Sequence, residues 1–150
     1  MKLTVRDNGY NALVKRVFGL GRPRISVGIH EGEGGASHQD SKLTIAEVAE
    51  KNEFGYGVPE RSFIRAWFDL NREKALDVMR RLMEAVVQGK RSKEQILELL
   101  GLAFVGEIQK RIAAGIQPAN SPYTIARKGS STPLIDKGQL RSSITYKVQE

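Results

Sequence analysis

The sequence predicts an α+β fold: a small antiparallel sheet packed against two long helices plus a short helix, with long polar loops. Three patterns lead there. Apolar residues alternate at Arg24–Ile29 and again at Ser143–Val148, on either side of the helical stretches. Between them the apolar period becomes helical, from Asp69 to Val87 and from Lys93 to Ile112. Polar stretches bearing glycine, proline and serine, 30–42 and 116–139, interrupt the periodic segments.

In chain order, Leu3 and Val5 have the spacing of a short opening strand, and Ala12–Phe18 reads as a helix stopped by Gly19 and Gly21. Within Arg24–Ile29, the side chains of Ile25, Val27 and Ile29 share one face, as in a half-buried strand. Residues 30–42 hold three glycines, two histidines and three acids, and read as an exposed, mobile loop. Thr44 and Glu47 have capping-box spacing, so a short helix is expected from Ile45 to Asn52 with Ile45, Val48 and Ala49 inward. Gly55, Gly57 and Pro59 then make Phe54–Arg65 a turn feeding an extended piece.

The first long helix is expected from Asp69, with Ala75, Met79, Leu82 and Val86 in one stripe and Leu76, Met83 and Val87 beside it. Gly89 closes it, and Ser92 with Gln95 forms a second capping box. The helix that follows carries Leu97, Leu100, Phe104, Ile108 and Ile112, with Leu99, Leu102 and Val105 round the side. Gly101 and Gly106 are its expected close-approach positions. So broad an apolar face suits a central helix, with the sheet on one side and another helix or subunit on the other. The segment 116–139 is too long for an ordinary connector, and its composition suits a mobile segment that orders on docking.

Composition bounds the function. A chain of 150 residues with 40% hydrophobic side chains suits one domain over 1–150. The absence of cysteine excludes a disulfide scaffold, a thiolate zinc site and thiol catalysis. Nothing near Met1 resembles a signal sequence, and the longest run free of charge, Ile112–Ala126, is broken by Gly115, Pro118 and Pro122. The expectation is a soluble chain made without secretion, with no membrane partner. The net charge is +7, but it is uneven: successive blocks of thirty residues carry +5, −5, +3, +1 and +3. Beside a plainly solvated surface, this allows a bipolar molecule whose acidic face docks on the basic face of a neighbour.

Most chemical readings fail on spacing. His30 and His38, with Glu31, Glu33 and Asp40, supply suitable ligands for zinc or iron, but the glycines between them leave no rigid frame. Two solvated loop histidines are the plainer reading. Ser142 and Ser143 have no histidine base nearby, and the glycines at 32, 34, 35, 55 and 57 match neither a P-loop nor a dinucleotide turn. No enzyme and no cofactor is expected. Non-enzymatic, non-specific nucleic-acid binding is the alternative function, drawing on Lys15, Arg16, Arg22, Arg24, Arg80, Arg81, Lys90, Arg91 and Lys93. Phe63, Trp67 and Phe68 near Arg61 and Arg65 suit either base stacking or anchorage of a helix on the sheet.

Two segments resemble a known family. The first is Asn52-Glu53-Phe54-Gly55 followed by Val58-Pro59-Glu60-Arg61-Ser62-Phe63-Ile64-Arg65. The second runs from Ser121-Pro122-Tyr123 through Pro133-Leu134-Ile135-Asp136-Lys137-Gly138-Gln139-Leu140-Arg141-Ser142-Ser143-Ile144. Together, and in this order, they resemble the tailed-phage virion-morphogenesis proteins, the tail-completion or head–tail joining group. Ser62 stands where the family pattern usually has a second proline, and Lys137 where it has a threonine.

The resemblance implies a virion structural protein at the head–tail junction, assembled in the host cytoplasm as a ring of identical subunits. Its partners would be itself, portal or connector and other neck proteins, and the tail tube or tail terminator, with double-stranded DNA passing through the lumen. The candidate interface residues are Glu47, Glu50 and Glu53 in the acidic block, and Arg61, Arg65, Lys128, Asp136, Lys137 and Arg141 in the motif segments. Each motif residue also has a plain role in holding the fold.

Overall fold

The computed structural model describes residues 9–19, 24–38 and 42–149; the expected strand at Leu3 and Val5 lies outside them. The elements run α1 (Tyr10–Phe18), β1 (Arg24–Ile29), α2 (Glu31–Gly34), α3 (Ile45–Phe54), α4 (Arg65–Val87), α5 (Lys93–Ala113), α6 (Pro122–Lys128), α7 (Gln139–Ser142) and β2 (Ile144–Gln149). The fold is α+β, as the periodicities require.

β1 and β2 pair antiparallel, with Ile25 opposite Val148, Val27 opposite Tyr146 and Ile29 opposite Ile144. Directly opposed residues share a face, so this register gathers the apolar side chains of both strands on one side of the sheet. That side lies on α5, the central helix, which also packs against α4. Ile96, Leu100, Phe104, Ile108 and Ile112 form the buried stripe of α5, joined by Trp67, Ala75 and Val86 from α4. Phe63, Leu140 and Ile144 complete the core beside Ile45 and Ala49 from α3. Gly101 explains how close the sheet comes, since a Cβ there would land on the Tyr146 ring. Gly106 is different: it faces open space and is not a close-approach position.

Both capping boxes form. The Thr44 hydroxyl accepts from the Glu47 amide at 3.2 Å while the Glu47 carboxylate accepts from the Thr44 amide at 2.7 Å. Ser92 and Gln95 repeat the exchange at the start of α5. α3 ends at Phe54, two residues later than expected, and is capped by Gly55, whose φ of 76° is the left-handed conformation that glycine tolerates.

Three further expectations are corrected. α4 begins at Arg65 rather than Asp69, for a reason that lies in its N-terminal turn. The segment 30–42 is not wholly loop: α2 occupies Glu31–Gly34, and Ser37 bridges to Thr44. The segment 116–139 contains α6, started by Ser121 and a proline in its first turn and closed by Gly129 at φ 70°. Among the described residues no helix is long and apolar enough to cross a membrane.

Candidate assembly surface

The motif residues meet at one corner of the molecule. Glu53, at the end of α3, is buried, and its carboxylate accepts from the Ser62 hydroxyl at 2.7 Å. It also accepts from the amides of Phe63 (2.8 Å), Ile64 (3.1 Å) and Arg65 (2.8 Å). Ile64, the N-cap residue of α4, offers no side-chain acceptor, so Glu53 takes up most of the first amides from the preceding helix. This is why α4 begins at Arg65. Ser62 accepts from the Ala66 amide at 3.0 Å while it donates to Glu53, so its hydroxyl is built into the same turn.

Arg65 closes the corner from outside. Its guanidinium donates to the Glu53 carbonyl at 2.9 Å and to Glu60 at 2.8 Å, and lies 4.9 Å from the centre of the Phe54 ring. Arg61 faces inward and is buried, donating to the carbonyls of Pro118 at 2.7 Å and Ala119 at 3.2 Å. Burial pushes its pKa below the ordinary arginine value. Lys128 is likewise pushed down by burial; Asp136 opposes that shift, while Arg61 and Arg127 add to it. The fold therefore brings Arg61, Lys128 and Asp136, from both motif segments, within electrostatic reach of one another.

The remaining candidates lie apart. Glu47 is committed to the α3 cap, where the Thr44 amide and hydroxyl hold its pKa below the usual carboxylate value. Glu50, Lys137 and Arg141 are exposed. Of the acidic trio, then, Glu50 alone is left to face a partner without first giving up a structural bond among the bonds described. His30 is not a solvated loop residue: it follows β1, and its ring nitrogens lie 2.9 Å from the hydroxyls of Ser26 and Thr145. Among the described residues no three histidine, aspartate or glutamate side chains are grouped to hold a metal ion.

Among the described residues, both long helices keep large apolar side chains exposed. On α4, Leu76, Met79 and Val87 are each about two-fifths exposed, along one flank beside the half-buried Met83. On α5, Leu102 is 58% exposed and Leu99 39%, on the face turned away from the sheet. Met79 was expected in the core stripe, but that stripe is wider than the single surface α5 offers it. At the other end of α4, Phe68 and Phe54 border an apolar cleft of about 460 Å³ between α3, α4 and the end of β1. Among the described residues that line it, Glu50, Glu53 and Asp69 face one cation, Arg65. Sequence reasoning missed the cleft, since its walls come from three elements; the excess of apolar residues around α4 was the available signal.

No protein-family model, curated protein or solved structure matches this chain.

Proposed function

We propose that this chain is a structural subunit of a tailed-phage neck or tail end, joining copies of itself into a ring at the head–tail junction around the DNA channel. The observation that carries this reading is the uncovered apolar surface of α4 and α5, with Leu70 73% exposed and Leu102 58% exposed on a chain that bears a net charge of +7. Large apolar side chains left in water along two packed helices mark a surface made for another protein. The place in the virion comes from the ordered motifs at 52–65 and 121–144, whose residues hold the fold together rather than form a reactive group. A ring follows from side-by-side packing of unlike faces, the closed solution of a heterologous contact.

Electron microscopy of lysates from the parent phage or induced prophage, with this gene disrupted, tests the proposal. Filled heads beside separate, unattached tails are expected. Complete infectious particles would overturn the joining role.

One observation favours a second reading, non-specific nucleic-acid binding. Arg16 donates to the Val87 carbonyl at 3.1 Å, so the basic end of α1 lies beside the turn that carries Lys90 and Arg91. Under that reading, duplex DNA binds the isolated chain with affinity that falls steeply with salt.

A further inference from the structure

Deepening the neck reading, on which it rests for the presence of DNA, we propose that one end of the molecule binds the phosphate backbone of duplex DNA. Three parts of the chain meet at that end. Arg16 donates to the Val87 carbonyl at 3.1 Å, and a Cβ at Gly89 would strike its guanidinium, so the end of α1 is held on the turn between α4 and α5. β2 runs opposite to α5: the Gln109 amide donates to the Ile144 carbonyl, whereas Tyr146 lies on Gly101, nearer the start of the helix. The last residues of β2, with Arg24 opposite Gln149, therefore point toward the same turn.

Among the described residues, Lys15, Arg24, Lys90, Arg91 and Lys147 stand exposed at this end and form no ion pair. Arg16 is committed to its own chain and only positions the others. Glu94, the acid nearest the turn in sequence, is matched by Lys93 at 3.9 Å, and Glu84 and Glu98 lie a turn or more away along the two helices. Glu31, Glu33, Glu50 and Asp69 belong to the opposite end, where β1 finishes and α4 begins. Charge is thus divided along α4, which is roughly 35 Å long at 1.5 Å per residue. A duplex attracts one end and repels the other, so it both binds the subunit and orients it. Protein interfaces exclude charge from their centres, whereas the exposed residues of this turn, Gln88, Lys90, Arg91 and Ser92, are polar or cationic, as a phosphate backbone requires. Phosphate contacts carry no sequence information, so the binding is indifferent to sequence, as a collar around passing DNA needs.

Fluorescence anisotropy of the full-length chain with a labelled duplex of arbitrary sequence tests this. Binding is expected, with affinity falling about a hundredfold between about 50 and 200 mM salt, as about four phosphate contacts require. Lys90→Glu with Arg91→Glu should weaken it at least about tenfold and flatten its salt dependence. Lys137→Glu with Arg141→Glu makes the same change in net charge on exposed residues ahead of β2, at the far end, and should alter affinity less than about twofold. Equal losses in the two pairs would overturn the site, because net charge alone would then account for the binding. No binding at about 50 mM salt would overturn it as well. Competition by polyglutamate as strong as by unlabelled duplex would replace DNA with an acidic protein surface. None of these results touches the joining role, which is decided by the particles that form without the gene.

Discussion

The corner built by the 52–65 turn and the outer surfaces of α4 and α5 invert what their residue types suggest. The corner is rich in charge, yet Glu53 and Arg61 are buried and donate or accept only within the chain. The helix surfaces are rich in leucine and methionine, yet Leu76, Met79 and Leu102 stand in water. Charge here holds the fold, and apolarity faces the solvent. Substitutions at the corner should therefore destroy stability, whereas substitutions on the helices should spare stability and remove association.

The largest effect is expected at Glu53. Glu53→Ala leaves the amides of Phe63, Ile64 and Arg65 without their acceptor, and should cost about 3–5 kcal/mol, measured by urea unfolding. Glu53→Gln keeps the shape but turns an amide donor toward those N–H groups, so it should rescue only part of the loss. A stability change under about 1 kcal/mol for Glu53→Ala would show that α4 starts without its remote cap. Reversing the charge of Glu53 or Glu47 would also impair assembly, but through folding, so Glu50 is the acidic residue at which a loss of assembly reports on contact. Arg61→Met comes next, at roughly 2–3 kcal/mol, because it releases the carbonyls of Pro118 and Ala119 from a charged donor.

These two residues also mark where sequence reasoning stops. The capping boxes at Thr44–Glu47 and Ser92–Gln95 were legible because both partners lie three residues apart on one short stretch of chain. The cap on α4 was not, because Glu53 acts across a turn of nine to twelve residues, nor was the Arg61 contact, whose partners lie 57 and 58 residues away. α2 was hidden by its composition, Glu-Gly-Glu-Gly, which no propensity favours as helix. α6 did announce itself, through Ser121, Pro122 and Gly129, but its polarity outweighed those signals. The inward faces of the two strands were legible from their alternation, but not their register, because a slip of two residues keeps the same face inward.

The glycines of α5 sharpen the comparison on a single helix. Gly101→Ala drives a methyl group into the Tyr146 ring and should cost about 1–3 kcal/mol as β2 shifts to admit it. Gly106→Ala meets nothing within 4 Å, and so should stabilise the chain by about 0.5–1 kcal/mol through helix propensity. Urea unfolding of the two variants side by side decides it. Equal destabilisation would mean that the outer face of α5 is covered in solution by something the single chain does not supply.

On the helix surfaces the effect on the isolated chain should be smaller still. Leu102→Ser and Leu70→Ser should change unfolding free energy by no more than about 0.5 kcal/mol, since both side chains are largely in water already. Sedimentation of the same variants should show weaker self-association. If instead they unfold readily while associating normally, these residues belong to the core and the division between corner and surface fails.

The smallest effect separates the two capping boxes by pH. Thr44 holds the Glu47 carboxyl below its ordinary value in the folded chain, whereas the matching position on α5 is the uncharged Gln95. A carboxyl whose folded pKa is lowered contributes its full stabilisation above the unfolded value of 4.5, where both states are ionised. As pH falls through 4.5 the unfolded chain takes up the proton first, so stability drops until the folded pKa is passed and the contribution is gone. Glu47→Gln should keep the cap, as Gln95 does, and flatten this part of the acid limb. Glu94 and Glu107, also held below their ordinary values, keep the rest of the slope in place. Urea midpoints of the native chain and Glu47→Gln, compared from about pH 3 to 7, give the difference directly. Identical pH profiles would mean that the Thr44–Glu47 exchange is too exposed to water to register in stability.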